Sequence, residues 1–144
     1  MGTSKEIRVE ATVQAPINKV WKYWTEPDHI KQWNNASDDW HTPFAVNDLR
    51  VGGTFVSRME AKDGSAGFDF GGIYDEVILH EVITYTMADG RKVNITFKGD
   101  DKETEVVETF DADASHPAEF QQQGWQAILN NFKSYVEQLS LIHI

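Results

Sequence analysis

Residues 47–77 read NDLRVGGTFVSRMEAKDGSAGFDFGGIYDEV. The stretch predicts two long strands joined by a tight turn at Lys62, Asp63, Gly64 and Ser65. Side chains alternate faces along a strand. Phe55, Ser57 and Met59 therefore share one face of the first strand, and Val56, Arg58 and Glu60 share the other. On the second strand Phe68, Phe70, Gly72 and Tyr74 fall together. A face that mixes large aromatic rings with a gap suits a curved sheet lining a cavity.

Working outward, residues 5–14 alternate Ile7, Val9, Ala11 and Val13 against Arg8, Glu10, Thr12 and Gln14, which predicts a half-buried strand. Pro16 ends it and suits a first helical turn, where its missing N–H costs nothing. Ile17, Val20, Trp21 and Trp24 then recur at helical spacing. A second short helix follows, with Thr25 as its expected N-cap, Pro27 early and Asp28 near the positive end, carrying Ile30 and Trp33 inward. Residues 34–47 show no period and read as a long loop, with a short strand near residues 44–46.

Beyond the opening block, Ile83, Tyr85 and Met87 share a face of one strand, Val93, Ile95 and Phe97 of the next, and Thr104, Val106, Glu108 and Phe110 of the last. Ala88, Asp89 and Gly90 give a hairpin turn. Ser115, His116 and Pro117 open a long helix. Its stripe of Phe120, Gly124, Trp125, Ile128, Leu129, Phe132, Val136 and Leu139 has a period of 3.6. The tail, residues 141–144, is apolar. The class is α+β: a meander of antiparallel strands whose apolar face the final helix must cover.

The 144 residues form one expected domain, with a core over about 5–139. No apolar run approaches the roughly 20 residues of a membrane span. The first ten residues hold no hydrophobic signal region, and there is no cysteine to form a disulfide or thiolate metal site. A cytoplasmic location is expected. The formal net charge of −10 and the absence of a basic stripe argue against nucleic acid as a partner.

The segments VWKYWTEPDHIKQW, DLRVGGTF, GGIYDEV and GWQAILNNFKSYVE, in that order, resemble the stand-alone bacterial relatives of the heat-shock protein 90 ATPase activator C-terminal domain. These belong to the START-like (SRPBCC) superfamily, and the resemblance covers nearly the whole chain. It implies a helix-grip fold, with a cavity between sheet and long helix and a small apolar or amphipathic ligand. It does not imply co-chaperone activity, because the activator proper uses a separate N-terminal domain in chaperone binding. Binders, carriers and enzymes share this fold, so function rests on the site.

The expected ligand-binding set is Trp33, Trp40, Phe55, Met59, Phe70, Tyr74, Tyr85, Glu108, Gly124, Trp125 and Ile128. Trp125 and its helix neighbours also serve as core, and Gly124 either keeps the pocket open or allows close packing. Glu108 stands out as a carboxylate on an apolar face, where it needs a partner. It, Asp38 and His41 are the candidate acid–base groups, because a histidine near carboxylates is a common base arrangement. Asp48 and Arg50 brace the turn before Gly52 and Gly53. No metal is expected, since the five histidines are dispersed. No cofactor is expected either: there is no Gly-x-Ser-x-Gly, phosphate loop or dinucleotide fingerprint. The reading is a binder of a small hydrophobic or aromatic molecule. A cofactor-free polyketide cyclase-like enzyme and a chaperone-interaction module are the alternatives.

Overall fold

The computed structural model describes residues 6–142, with side chains through Leu139. Lys5 at the expected start of the first strand, and the apolar tail beyond the end of the long helix, lie outside the described residues. The chain runs β1 (Glu6–Val13), α1 (Ile17–Thr25), α2 (Pro27–Trp33), β2 (Trp40–Asn47), β3 (Thr54–Ala61), β4 (Gly67–Ile78), β5 (Val82–Met87), β6 (Lys92–Gly99), β7 (Thr104–Asp111) and α3 (Ala118–Ile142). The strands form one antiparallel sheet in the order β1-β7-β6-β5-β4-β3-β2, curved as a half-barrel around α3. This is the helix-grip arrangement expected from the sequence.

Alternation sets the register. Ile7, Val9 and Val13 of β1, Ile83, Tyr85 and Met87 of β5, Val93, Ile95 and Phe97 of β6, and Val106 and Phe110 of β7 are all buried on the concave face. Tyr74, Tyr85, Val93, Phe110 and Ile7 lie in one row across five strands, and Ile83, Ile95, Glu108 and Val9 lie in the next. Gly72 supplies the expected gap between Phe70 and Tyr74. A Cβ there would sit 2.7 Å from the Thr86 carbonyl oxygen and 3.1 Å from the Tyr85 ring. The space it leaves lets Phe55 meet Tyr85 edge-on at 4.7 Å.

Three expectations need correction. The long loop after α2 is shorter, because β2 begins at Trp40 and pairs with β3 through to Asn47. The register shifts between His41 and Phe44, around Pro43, which has no N–H to give a ladder. That shift breaks the alternation and hid the strand. Thr25 does not cap α2: Glu26 holds the cap position, and the Thr25 hydroxyl donates back to the Trp21 carbonyl at 2.8 Å. Phe120 is 65% exposed instead of joining the apolar stripe. In that turn Gln121 is the buried residue. Its amide donates to the Asp113 and His116 carbonyls and accepts the Asp113 N–H, which ties the helix start to the preceding loop.

The far end of α3 is packed solid. Leu129, Phe132 and Val136 are fully buried, and Trp24 and Trp33 each meet Phe132 edge-on at 4.8 Å. Along its side, α3 runs beside the free edge of β1. Gln122 donates to the Arg8 carbonyl, Gln126 both donates to and accepts from the Glu10 backbone, Lys133 donates to the Thr12 carbonyl, and Glu137 accepts the Gln14 N–H. The rise per residue explains the match. Two strand residues advance about 6.7 Å and four helical residues about 6 Å, which matches Gln122 and Gln126 to Arg8 and Glu10, and Lys133 and Glu137 to Thr12 and Gln14, with two helical turns between the pairs. Among the described residues no helix is long and apolar enough to cross a membrane.

Candidate ligand-binding cavity

Where α3 leaves the packed end, the curved sheet and the helix part to enclose a cavity of about 290 Å³. Strand alternation places its floor: Phe55, Ser57 and Met59 from β3, and Phe68, Phe70 and Tyr74 from β4. Ile83 and Tyr85 of β5, Ile95 of β6 and Glu108 of β7 continue that floor. Trp24, Ile30 and Trp33 roof one side, with Trp125 and Ile128 of α3 on the other. The roof is held by specific bonds. Trp33 Nε1 donates to the Tyr23 carbonyl at 2.9 Å, Asn131 Nδ2 donates to the Trp33 carbonyl at 2.9 Å, and the Thr42 hydroxyl donates to the Asn34 carbonyl at 2.6 Å. Trp125 lies stacked on Phe110, with ring centres 3.9 Å apart, and meets Phe70 edge-on at 5.9 Å. Phe68, 48% exposed, marks the mouth.

Nine of the eleven residues expected to contact ligand line this cavity: Trp33, Phe55, Met59, Phe70, Tyr74, Tyr85, Glu108, Trp125 and Ile128. Trp40 and Gly124 do not. Trp40 is half-buried beside Ala61 at the end of β3, 6.0 Å from the Phe68 ring. A Cβ on Gly124 would meet nothing within 4 Å, so neither close packing nor the cavity wall accounts for the glycine.

Of the three acid–base candidates, Glu108 alone is in the wall. His41 pairs with Glu60 across β2 and β3 on the outer face, its Nε2 3.9 Å from the Glu60 carboxylate. There Arg58 also binds Glu60 and Asp69, as an exposed ion-pair cluster. Asp38 edges a separate shallow cleft between the α2–β2 connection and α3. Among the described residues no cluster of three or more histidines and carboxylates could hold a metal ion. Asp48 and Arg50 pair at 2.9 Å in the turn, as expected, and Gly52 adopts φ +82° there.

Glu108 is 5% exposed, flanked on the sheet by Val9 and Ile95. Burial pushes its carboxyl up to about 8, because the apolar surroundings penalise the charged form. Burial also raises the Tyr85 hydroxyl well above the usual phenol range, with the nearby Glu108 adding to the rise. The Tyr74 hydroxyl is raised too, mainly by burial, against the opposing pull of its bond to Asn47. Arg91 was overlooked in the sequence as one of several scattered cations. It reaches the cavity wall while its Nε donates to Asp89 at 2.7 Å. Its phase was readable, since residues 91, 93, 95 and 97 share a face. Ser57 is a second polar group missed as a candidate, flanked by Phe55 and Met59 on an apolar face.

Comparison with known proteins agrees with this geometry. The family model of "Activator of Hsp90 ATPase homolog 1-like protein" matches residues 14–137. The solution structure of an AHSA1-like protein from Aeromonas hydrophila is 48% identical, with a TM-score of 0.89 and 97% of each chain covered. A solution structure from Cytophaga hutchinsonii is 56% identical, with a TM-score of 0.80 and 96% of each chain covered. A crystal structure from Nitrosomonas europaea, 17% identical with a TM-score of 0.81 over 98% of this chain and 99% of that one, shares the fold. No curated protein matches. The START-like fold is associated with ligand binding. With a family match over most of its length and a helix-grip sheet closed by one long helix, the chain belongs to the activator of Hsp90 ATPase homolog 1-like family.

Proposed function

We propose that the protein binds a small hydrophobic or aromatic molecule in the cavity between sheet and α3. The observation that carries this reading is a cavity of about 290 Å³, close to the lower end of ligand-pocket sizes, walled by aromatic rings and a few converging polar groups. Phe55, Phe70 and Trp125 offer faces and edges to a flat ring. A fully packed core would have filled this space, as Leu129, Phe132 and Val136 do farther along α3.

A ligand screen by two-dimensional NMR tests the proposal, with flat aromatics and fatty acids at up to millimolar concentration. Binding in the cavity shifts the amides of Tyr85, Glu108 and Trp125 together. If no compound moves them, the reading fails.

One observation keeps an enzymatic reading in second place. Burial pushes the Glu108 carboxyl up to about 8 inside the cavity, which suits a proton-transfer group. A cyclase-type reaction needs no cofactor, since the walls would fold a polyketone while Glu108 moves the proton. Turnover of a model diketone that disappears in Glu108→Gln would support it, and equal rates in the two proteins would remove it.

A further inference from the structure

We infer that the cavity holds its ligand through a phenol or enol oxygen, bound as the anion between the Glu108 carboxyl and the Tyr85 hydroxyl. The inference rests on the ligand-binding reading above and names the chemistry of that ligand.

Both groups are 5% exposed, and among the described residues neither side chain makes a hydrogen bond. Buried polar groups left without partners are costly and uncommon. The contrast within one row is informative: Tyr74 lies directly across the sheet from Tyr85, yet its hydroxyl is engaged by Asn47 at 2.6 Å. Tyr85 and Glu108 stand two strands and one row apart on the concave face, where curvature turns both toward the same space. Both line the same cavity, and no hydrogen bond joins them.

Burial keeps both groups protonated at neutral pH, which makes each a donor. A carboxylic acid held neutral by an apolar site can donate to an oxyanion. The Arg91 guanidinium also stands at the wall, paired through Nε with Asp89 at 2.7 Å. The titratable groups lining the cavity are Tyr74, Tyr85, Arg91 and Glu108; the Tyr74 hydroxyl already donates to Asn47 and Arg91 Nε to Asp89, which leaves Tyr85 and Glu108 as the donors without a partner among the described residues. Ser57 can donate or accept. This set favours an acceptor oxygen with negative charge over an ammonium group. The rings of Phe55, Phe70 and Trp125 favour a flat carbon skeleton behind that oxygen. On binding, the ligand's own proton leaves to solvent, and Glu108 and Tyr85 keep theirs.

A nitronaphthol and its methyl ether, which cannot ionise, provide the test. The absorbance of the naphthol reports its protonation when the protein is added in a buffer below the free dye's own midpoint. The expected result is conversion of bound dye to the anion, with the ether bound at least about tenfold more weakly. Glu108→Leu should abolish the conversion yet still bind the ether. Tyr85→Phe should weaken the conversion, and serves if the leucine variant fails to fold. Dye bound as the neutral naphthol, or naphthol and ether bound equally, overturns the inference while leaving the cavity reading intact. If neither compound binds, or binding leaves the amides of the cavity wall unmoved, the inference falls, and the cavity reading stands or falls with the wider ligand screen.

Discussion

The Tyr74 hydroxyl donates to Asn47 Oδ1 at 2.6 Å, and Asn47 Nδ2 donates onward to the Thr25 carbonyl at 2.6 Å. A cavity tyrosine is thus tied through the end of β2 to the end of α1. Its role is to brace the roof over the sheet. Tyr74→Phe leaves the Asn47 oxygen without its donor and should cost about 1–2 kcal/mol of stability. The affinity for an apolar ligand should change little. Chemical denaturation and a ligand titration on the same variant check both halves, and a large affinity loss would give Tyr74 a direct binding role.

Glu108 makes stability depend on pH in the direction opposite to a salt-bridged acid. Its carboxyl rises from the ordinary 4.5 to about 8 on folding. Between those values the folded state holds a proton that the unfolded state has released. Stability should therefore be complete below about pH 4.5 with respect to this group. It should fall by up to about 1.4 kcal/mol per pH unit as pH rises, and level off above about 8. Glu108→Gln removes that slope. Melting temperatures of the two proteins, compared from pH 5 to 9, should diverge in favour of the variant as pH rises. Parallel curves would mean that Glu108 is charged or paired in the folded protein. Asp63, Asp89, Asp100 and Asp113 have lowered values, so their contributions are lost at the acid end and do not overlap this window.

Ser57 offers a way to fill the cavity. It is buried, lines the wall and has Phe70 as its β4 partner. Ser57→Leu replaces a hydroxyl with a side chain that occupies ligand space. Stability should hold or rise by about 1 kcal/mol, as for other cavity-filling changes. Affinity for any ligand found in the screen should fall at least about tenfold, since overlap with a ligand ring cannot be relieved in a packed wall. Thermal melts and an NMR titration measure the two effects.

Gly124 makes a separate prediction. A methyl group there meets nothing within 4 Å, and the residue lies inside a 25-residue helix. Gly124→Ala should stabilise the protein by about 1 kcal/mol through helix propensity alone. Ligand affinity should stay the same, because Gly124 is not in the wall. Denaturant midpoints show the gain, and a loss of stability would mean that the backbone needs glycine at this point.

The parts of the fold readable from sequence are those where one rule acts alone. Five strands alternate along their length, β4 does so as far as Tyr74, where its register against β5 shifts before Glu76, and α3 shows its stripe from Trp125 onward, so sheet and helix were legible. The strand β2 was not, because Pro43 and the register shift interrupt its period. Thr25 has the chemistry of a cap, but its hydroxyl found the Trp21 carbonyl four residues back. Glu108 was legible as a carboxylate out of place on an apolar face. Asp38 and His41 misled because residue type drew attention to them. Pairing sends His41 to the outer face, Asp38 lies before β2 at a different cleft, and no local pattern shows either. Arg91 was hidden by the opposite error: its charge suggested surface, while its strand phase pointed inward.

The row of side chains from α3 onto β1 bears on how this protein keeps to itself. A sheet ends in two strands with unpaired backbone groups, and each can recruit a strand from another molecule. Gln122, Gln126, Lys133 and Glu137 occupy the outward groups of β1, so a foreign strand would first have to displace a helix. The opposite end, β2, has no such cover from α3, and Pro43 and the break in register blunt it instead. Any strand-mediated self-association should therefore use β2, and would stop at a pair of molecules, because joining two β2 edges leaves only covered β1 edges outside.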